Sequence, residues 1–279
     1  MKHFLLALGL WLPWAALATQ PLQPLQIAQQ FVAPTGWPAM KDYLCCEVAG
    51  QARRQTLGQQ IPARLQRACQ LVAQGPASAV VAVELRDSVG GRSDFYLHFN
   101  KEAEGWKLQA IRSLAMTHLG PPMVELLANL PPTEVADYDL KHPGASHAFT
   151  LGNLRLWTST DADISAHFQR QRADFQEAMH LLKAGRYFDL PATGPDDTGE
   201  QAANADPALH ALLQKLFLGR VTRRATGCGS CVGFVIGGKL NSTVGFLYQP
   251  EAAQLPAMHP DHLIVLKPLG GGWYLYKTA

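Results

Sequence analysis

The chain has 279 residues, with 24 Lys and Arg against 22 Asp and Glu for a formal charge of +2, and 47% of it is hydrophobic. That near-neutral balance, with no basic run, excludes an electrostatic case for nucleic acid or anionic lipid. The hydrophobic share lies in the globular range, so a real core can form.

Met1-Lys2-His3 is a short basic start, followed by an apolar run from Phe4 to Ala18 that ends in Ala16-Leu17-Ala18. This pattern predicts a cleavable signal peptide over residues 1–18. The run is short for a bilayer, which needs about 20 apolar residues, so an uncleaved anchor is the lesser alternative. The single lysine points to a bacterial leader, hence to a periplasmic or secreted protein with no stable membrane span after cleavage. The remaining length suits two ordinary domains. The cysteines are Cys45, Cys46, Cys69, Cys228 and Cys231. In an oxidising compartment they read first as disulfide candidates. Cys228 and Cys231 are close enough to bridge, and Cys69 would reach Cys45 or Cys46 if helices there pack together. Adjacent Cys45 and Cys46 are poor partners for each other. Five is odd, which leaves at least one free or paired between chains.

In chain order, Leu22, Leu25 and Phe31 predict a helix over 22–32. A short helix is expected over 38–46. Ile61, Leu65, Ala68, Cys69 and Val72 predict a third over 61–72. The period then becomes two. Val81, Val83 and Leu85, then Phe95, Leu97 and Phe99, then Trp106 and Leu108 predict an antiparallel meander with one buried and one polar face. A short helix is expected over 123–130, after Pro121-Pro122. Polar, turn-rich residues over 133–148 read as a linker, and 151–157 as a strand. A long helix follows Ser159-Thr160, with Ile164, Phe168, Phe175, Met179 and Leu182 on one stripe. Residues 191–206 read as a loop, and 208–218 as a helix. Strands are predicted over 231–236, 242–248, 262–267 and 273–277. The expected fold class is α+β in two lobes, 19–132 and 149–279, each with N-terminal helices packed on a curved antiparallel sheet.

Both halves close with a strand, a Gly-containing turn and a Trp-led strand: 94–99 into Gly105-Trp106-Lys107-Leu108, and 262–267 into Gly272-Trp273-Tyr274-Leu275. In these stretches the chain resembles the NTF2-like, cone-shaped α+β superfamily, as a tandem pair. The resemblance implies helices packed into a curved sheet. It implies no particular activity, because that superfamily holds enzymes, ligand binders and non-catalytic partners alike.

Cys228-Gly229-Ser230-Cys231 has the spacing of a redox motif, but strand and glycine follow it rather than the helix N-terminus that would stabilise a thiolate. A structural disulfide is the expected role. The same lack of a helix weakens Gly229-Ser230-Cys231-Val232-Gly233 as a nucleophile elbow. Zinc held by Cys228, Cys231, His259 and His262 would need ligands far apart in sequence and reduced thiols. No cofactor-binding or metal residue is predicted. Asn241-Ser242-Thr243 matches a glycosylation acceptor, without meaning in a bacterium. His98, on the polar face of its strand with Glu84, Arg86, Tyr96, Lys107 and Gln109, and Glu84 itself are the least bad catalytic candidates. A solvated sheet face is the plainer reading.

In the second half alternation fails: Leu263, Ile264, Val265 and Leu266 are consecutive, as are Trp273, Tyr274, Leu275 and Tyr276. A sheet oily on both faces must be covered on both. The second cover is expected to be the first domain, with a partner copy or a foreign protein as alternatives. The function expected is that of an exported, non-catalytic binding protein for a protein partner or small ligand, of the inhibitor, immunity or envelope accessory type. The alternatives are a small-molecule enzyme with a polar pocket and a thiol–disulfide protein using Cys228 and Cys231.

Overall fold

The computed structural model describes residues 21–51, 55–189, 197–239 and 242–279. The predicted signal peptide and Asn241 of the acceptor sequence lie outside them. Helix α1 (Pro24–Val32) starts with proline, where a missing N–H costs nothing, and buries Ile27, Ala28, Phe31 and Val32 on one face. A 3-10 turn over Met40–Tyr43 leads to α2 (Cys46–Gln51), so the helix expected over 38–46 is only that turn, and α2 starts where the expected helix was to end. A single turn, α3 (Leu57–Gln60), is capped by Thr56.

The helix expected over 61–72 does not form. Its residues run into β1 (Gln66–Gln74), antiparallel to β2 (Ser78–Arg86). β1 is the sheet's edge and is exposed or half-buried throughout. A strand with no fully buried face needs no strict alternation, and the valine-rich partner decides its conformation. β3 (Arg92–Glu102) and β4 (Gly105–Arg112) complete a four-stranded meander in the order β1-β2-β3-β4.

Helix α4 (Met116–Ala128) begins before Pro121 and Pro122 and carries both inside it. The stretch read as a linker holds α5 (Pro132–Lys141), which buries none of its residues and so connects without adding core. The strand expected over 151–157 is instead part of α6 (His147–Trp157), which buries Leu154 and Leu156. Short apolar runs do not distinguish strand from helix. Here the Ser146 hydroxyl, accepting the Phe149 N–H, fixes a helix start. The long helix is two, α7 (Asp161–Arg170) and α8 (Arg172–Ala184), broken at Gln171, and the predicted stripe from Ile164 to Leu182 is buried. Within the expected loop over 191–206, Asp197 caps α9 (Thr198–Ala205). α10 (Pro207–Lys215) follows.

The second sheet contains β5 (Arg220–Thr222), which was not expected, then β6 (Val232–Lys239), β7 (Ser242–Tyr248), β8 (Leu263–Gly270) and β9 (Trp273–Thr278). Its order is β5-β6-β7-β9-β8, antiparallel throughout. The fold is therefore α+β in two lobes. The two Trp-led strands differ in position: β4 is an edge, whereas β9 lies between β7 and β8.

One face of the first sheet packs Val81, Val83, Phe95, Leu97, Phe99 and Leu108 against α1 and Met40 and Leu44 around the 3-10 turn. The second sheet's helical side is centred on aromatic rings: Phe175 lies 4.8 Å from Phe246, 4.9 Å from Phe168 and 5.4 Å from Trp273, centroid to centroid. Val80, Ala82 and Tyr96, from the other face of the first sheet, join this same core. The meander's polar face is thus covered by the second lobe around Val80, Ala82, Tyr96 and His98, while Arg86 stays exposed. The second sheet's outward face is also apolar in part, but its cover is its own chain: Leu247, Leu263, Leu266 and Tyr276 pack with Ala225, Cys228, Cys231, Leu255 and Met258. That corrects the expectation that the first domain supplies it.

Polar groups pin the lobes together. The Lys277 ammonium lies 2.8 Å from Asp161 Oδ1 and donates to the Tyr96 hydroxyl at 2.7 Å, and that hydroxyl donates to Asp161 at 2.9 Å. The Asp161 N–H, in the first turn of α7, donates to Asp94 at 2.6 Å. Burial pushes the Asp94 carboxyl up to about 6 despite Lys277. At one edge Arg112 of β4 joins Glu47 of α2 to Asp261 and the Pro260 carbonyl, ahead of β8.

Candidate functional site

A concavity lies on the outward face of the second sheet. It is a groove of about 430 Å³ lined by Arg220, Thr222, Arg224, Ala225, Thr226, Gly227, Val235, Thr243, His262, Leu263, Thr278 and Ala279. The sheet's pleat explains the lining. Val221, Phe234, Val244 and Leu275 turn to the helical core, so Arg220, Thr222, Val235, Thr243 and Thr278 stand on the opposite face. β5 is only three residues long, yet it places Arg220 opposite Val235 at the groove's edge.

Arg220 is exposed, and its guanidinium makes no hydrogen bond or ion pair with another described residue. Arg224 approaches Glu200 at 3.9 Å, a loose pairing. No Asp or Glu side chain lines the groove. Below it, Tyr276 is fully buried and its hydroxyl has no hydrogen-bond partner among the described residues. Its ring crosses Gly245, where a Cβ would stand 2.8 Å from a ring carbon and 2.4 Å from the Phe234 carbonyl oxygen. Only glycine leaves room there. Burial pushes the Tyr276 hydroxyl above its usual range, and the nearby Arg220 guanidinium opposes the rise. A buried hydroxyl without a partner costs about 1–3 kcal/mol. The groove therefore presents the Arg220 guanidinium, the hydroxyls of Thr226 and Thr243 and an apolar floor strip of Val235 and Leu263, while the Thr222 hydroxyl is already donated to Glu200.

His98 and Glu84 are not brought together. Glu84 pairs with Asp94 across β2 and β3, and His98 lies four residues further along, about 13 Å away at strand rise. Arg86, and then Arg92 against the effect of burial, hold the Glu84 carboxyl down at about 2. Arg92 continues to Asp163 on α7 at 3.0 Å. A carboxylate held that low is a weak proton acceptor near neutrality. His98 is 3% exposed, with an unpartnered Nε2. Burial pulls it down to about 4, helped by Arg112 and His259 and opposed by Asp261 and Glu47.

Cys228 and Cys231 form a disulfide with Cα atoms 5.3 Å apart. Cys231 leads directly into β6. The bridge therefore occupies two of the four proposed zinc ligands. Among the described residues no group of three or more His, Cys, Asp or Glu side chains converges as metal ligands would, and no helix is long and apolar enough to cross a membrane. Cys45, Cys46 and Cys69 are free thiols. Cys69 lies on β1, at the opposite edge of the sheet from Leu108 of β4, which Cys45 contacts, so the helix pairing expected for it is not available.

Arg220 escaped sequence reasoning because a three-residue strand carries no period. The one available signal was the clustering of three arginines and a threonine in Arg220-Val221-Thr222-Arg223-Arg224. No protein-family model, curated protein or solved structure matches the chain.

Proposed function

We propose that this is an exported binding protein without a reaction of its own, and that its groove takes a small anionic ligand bearing a carboxylate or phosphate. The observation that carries the reading is Arg220: an exposed guanidinium with no ion pair among the described residues, at the rim of a groove without acidic side chains. Arginine's planar fork suits carboxylate and phosphate oxygens. Thr226 and Thr243 supply hydroxyls that can donate to the same oxygens. Export is supported by the leader-like N-terminus and by the Cys228–Cys231 bridge, which suits an oxidising compartment. The NTF2-like kinship belongs to the same proposal and rests on the Trp-led hairpins.

The test is calorimetric titration with small dicarboxylates and phosphate esters, using the mature protein and Arg220→Glu. The wild type is expected to bind at least one of them, more weakly as salt rises, while the variant keeps its melting temperature and loses at least tenfold in affinity. Equal affinity in the variant, or turnover of the bound compound, would overturn the reading.

A further inference from the structure

We propose that Cys45 and Cys46 form a reversible disulfide between neighbouring residues, making the start of α2 a thiol-oxidation site. The two Sγ atoms are already in contact, 2.8 Å apart. Cys46 holds φ at 56°, the left-handed region that non-glycine residues rarely enter. The backbone is anchored on the preceding side, where the Cys45 N–H donates to the Leu108 carbonyl at 3.0 Å and Leu44 bridges to Leu108. Cys46 is exposed and Cys45 half-buried.

The other cysteines leave this pair to itself. Cys228 and Cys231 are bonded to each other. Cys69 stands on β1, three strand spacings from β4, or about 14 Å. That exceeds the roughly 7 Å Cα separation a disulfide spans. Consecutive Cα atoms are about 3.8 Å apart, below the usual disulfide range of about 4.4–6.8 Å, so the bond is strained and easily reduced.

The oxidant is a low-molecular-weight disulfide. The exposed Cys46 thiolate attacks one of its sulfurs, forming a mixed disulfide and releasing one thiol. Cys45, whose thiol burial and Cys46 push up to about 12, gives its proton to solvent, and its sulfur then attacks the Cys46 sulfur, releasing the second thiol. Two protein thiols are oxidised and one small disulfide is reduced to two thiols. The proposal is independent of what the groove binds.

The full chain is equilibrated in glutathione buffers of graded poise, acid-quenched, alkylated and digested with trypsin, which puts the cysteines on peptides 42–53, 68–86 and 225–239. Under oxidising buffers, peptide 42–53 is expected to lose two hydrogens and accept no alkyl group, reversing in buffers too mild to open peptide 225–239. Peptide 68–86 stays alkylated. Cys45→Ser should instead retain glutathione on Cys46. The proposal fails if 42–53 stays doubly alkylated, keeps glutathione in the wild type, or is found linked to 68–86 or to a second chain.

Discussion

His98 shows how far one side chain's surroundings can move from what its strand suggests. It belongs to the meander's polar face, yet the second lobe leaves it 3% exposed. A histidine whose folded value is drawn down to about 4 binds its proton less readily than in the unfolded chain. Its contribution to stability is therefore complete above about pH 6.5 and is lost as pH falls through 4. Between pH 7 and pH 4 the wild type should lose about 3 kcal/mol that His98→Leu keeps. Urea unfolding at both pH values measures this, and parallel losses would show that His98 does not titrate this way. Asp94 acts with the opposite sign. Its folded value is raised to about 6, so its contribution is present at low pH and lost as pH rises through 6, which makes the variant comparison necessary.

At the scale of elements, the start of α7 does two jobs. Thr160 accepts the Asp163 N–H at 3.3 Å and donates to its carboxylate at 2.7 Å, and the turn so fixed presents Asp161 to Lys277. Thr160→Ala should destabilise by about 1 kcal/mol in chemical denaturation, and Thr160→Ser by clearly less. If the serine variant fell as far, the cap would not be the cause. This helix was legible beforehand because a capping residue precedes a buried stripe. The last three strands of the meander were legible from alternation, and β8 and β9 from short apolar runs bounded by glycine and proline. Residues 66–74 and 147–157 were not: one is an edge strand with no buried face to impose a period, the other a helix whose Leu154 and Leu156 mimic alternation. The groove was hidden for a different reason. Arg220, Thr243, His262 and Thr278 come from strands that are neighbours only after folding.

Across the molecule, the lobes are held by charge as well as by shared core. Lys277 is 4% exposed and faces two carboxylates, Asp161 and Asp94. Removing one partner of a buried ionic group leaves the other uncompensated, at a cost of about 3–5 kcal/mol. Lys277→Met should lose stability on that order at pH 8, and lose less at pH 5, where Asp94 can take a proton and one negative charge disappears. A deficit independent of pH would mean that lost packing, not unpaired charge, governs the site.

The Tyr96–Lys277 contact also sets an order of events. Lys277 leaves the ribosome 181 residues after the tyrosine it must reach. Until then the nascent meander carries an unsheltered flank, and forming the contact closes a very long loop. Such nonlocal contacts slow folding, so the meander, though made first, is completed by the last strand described.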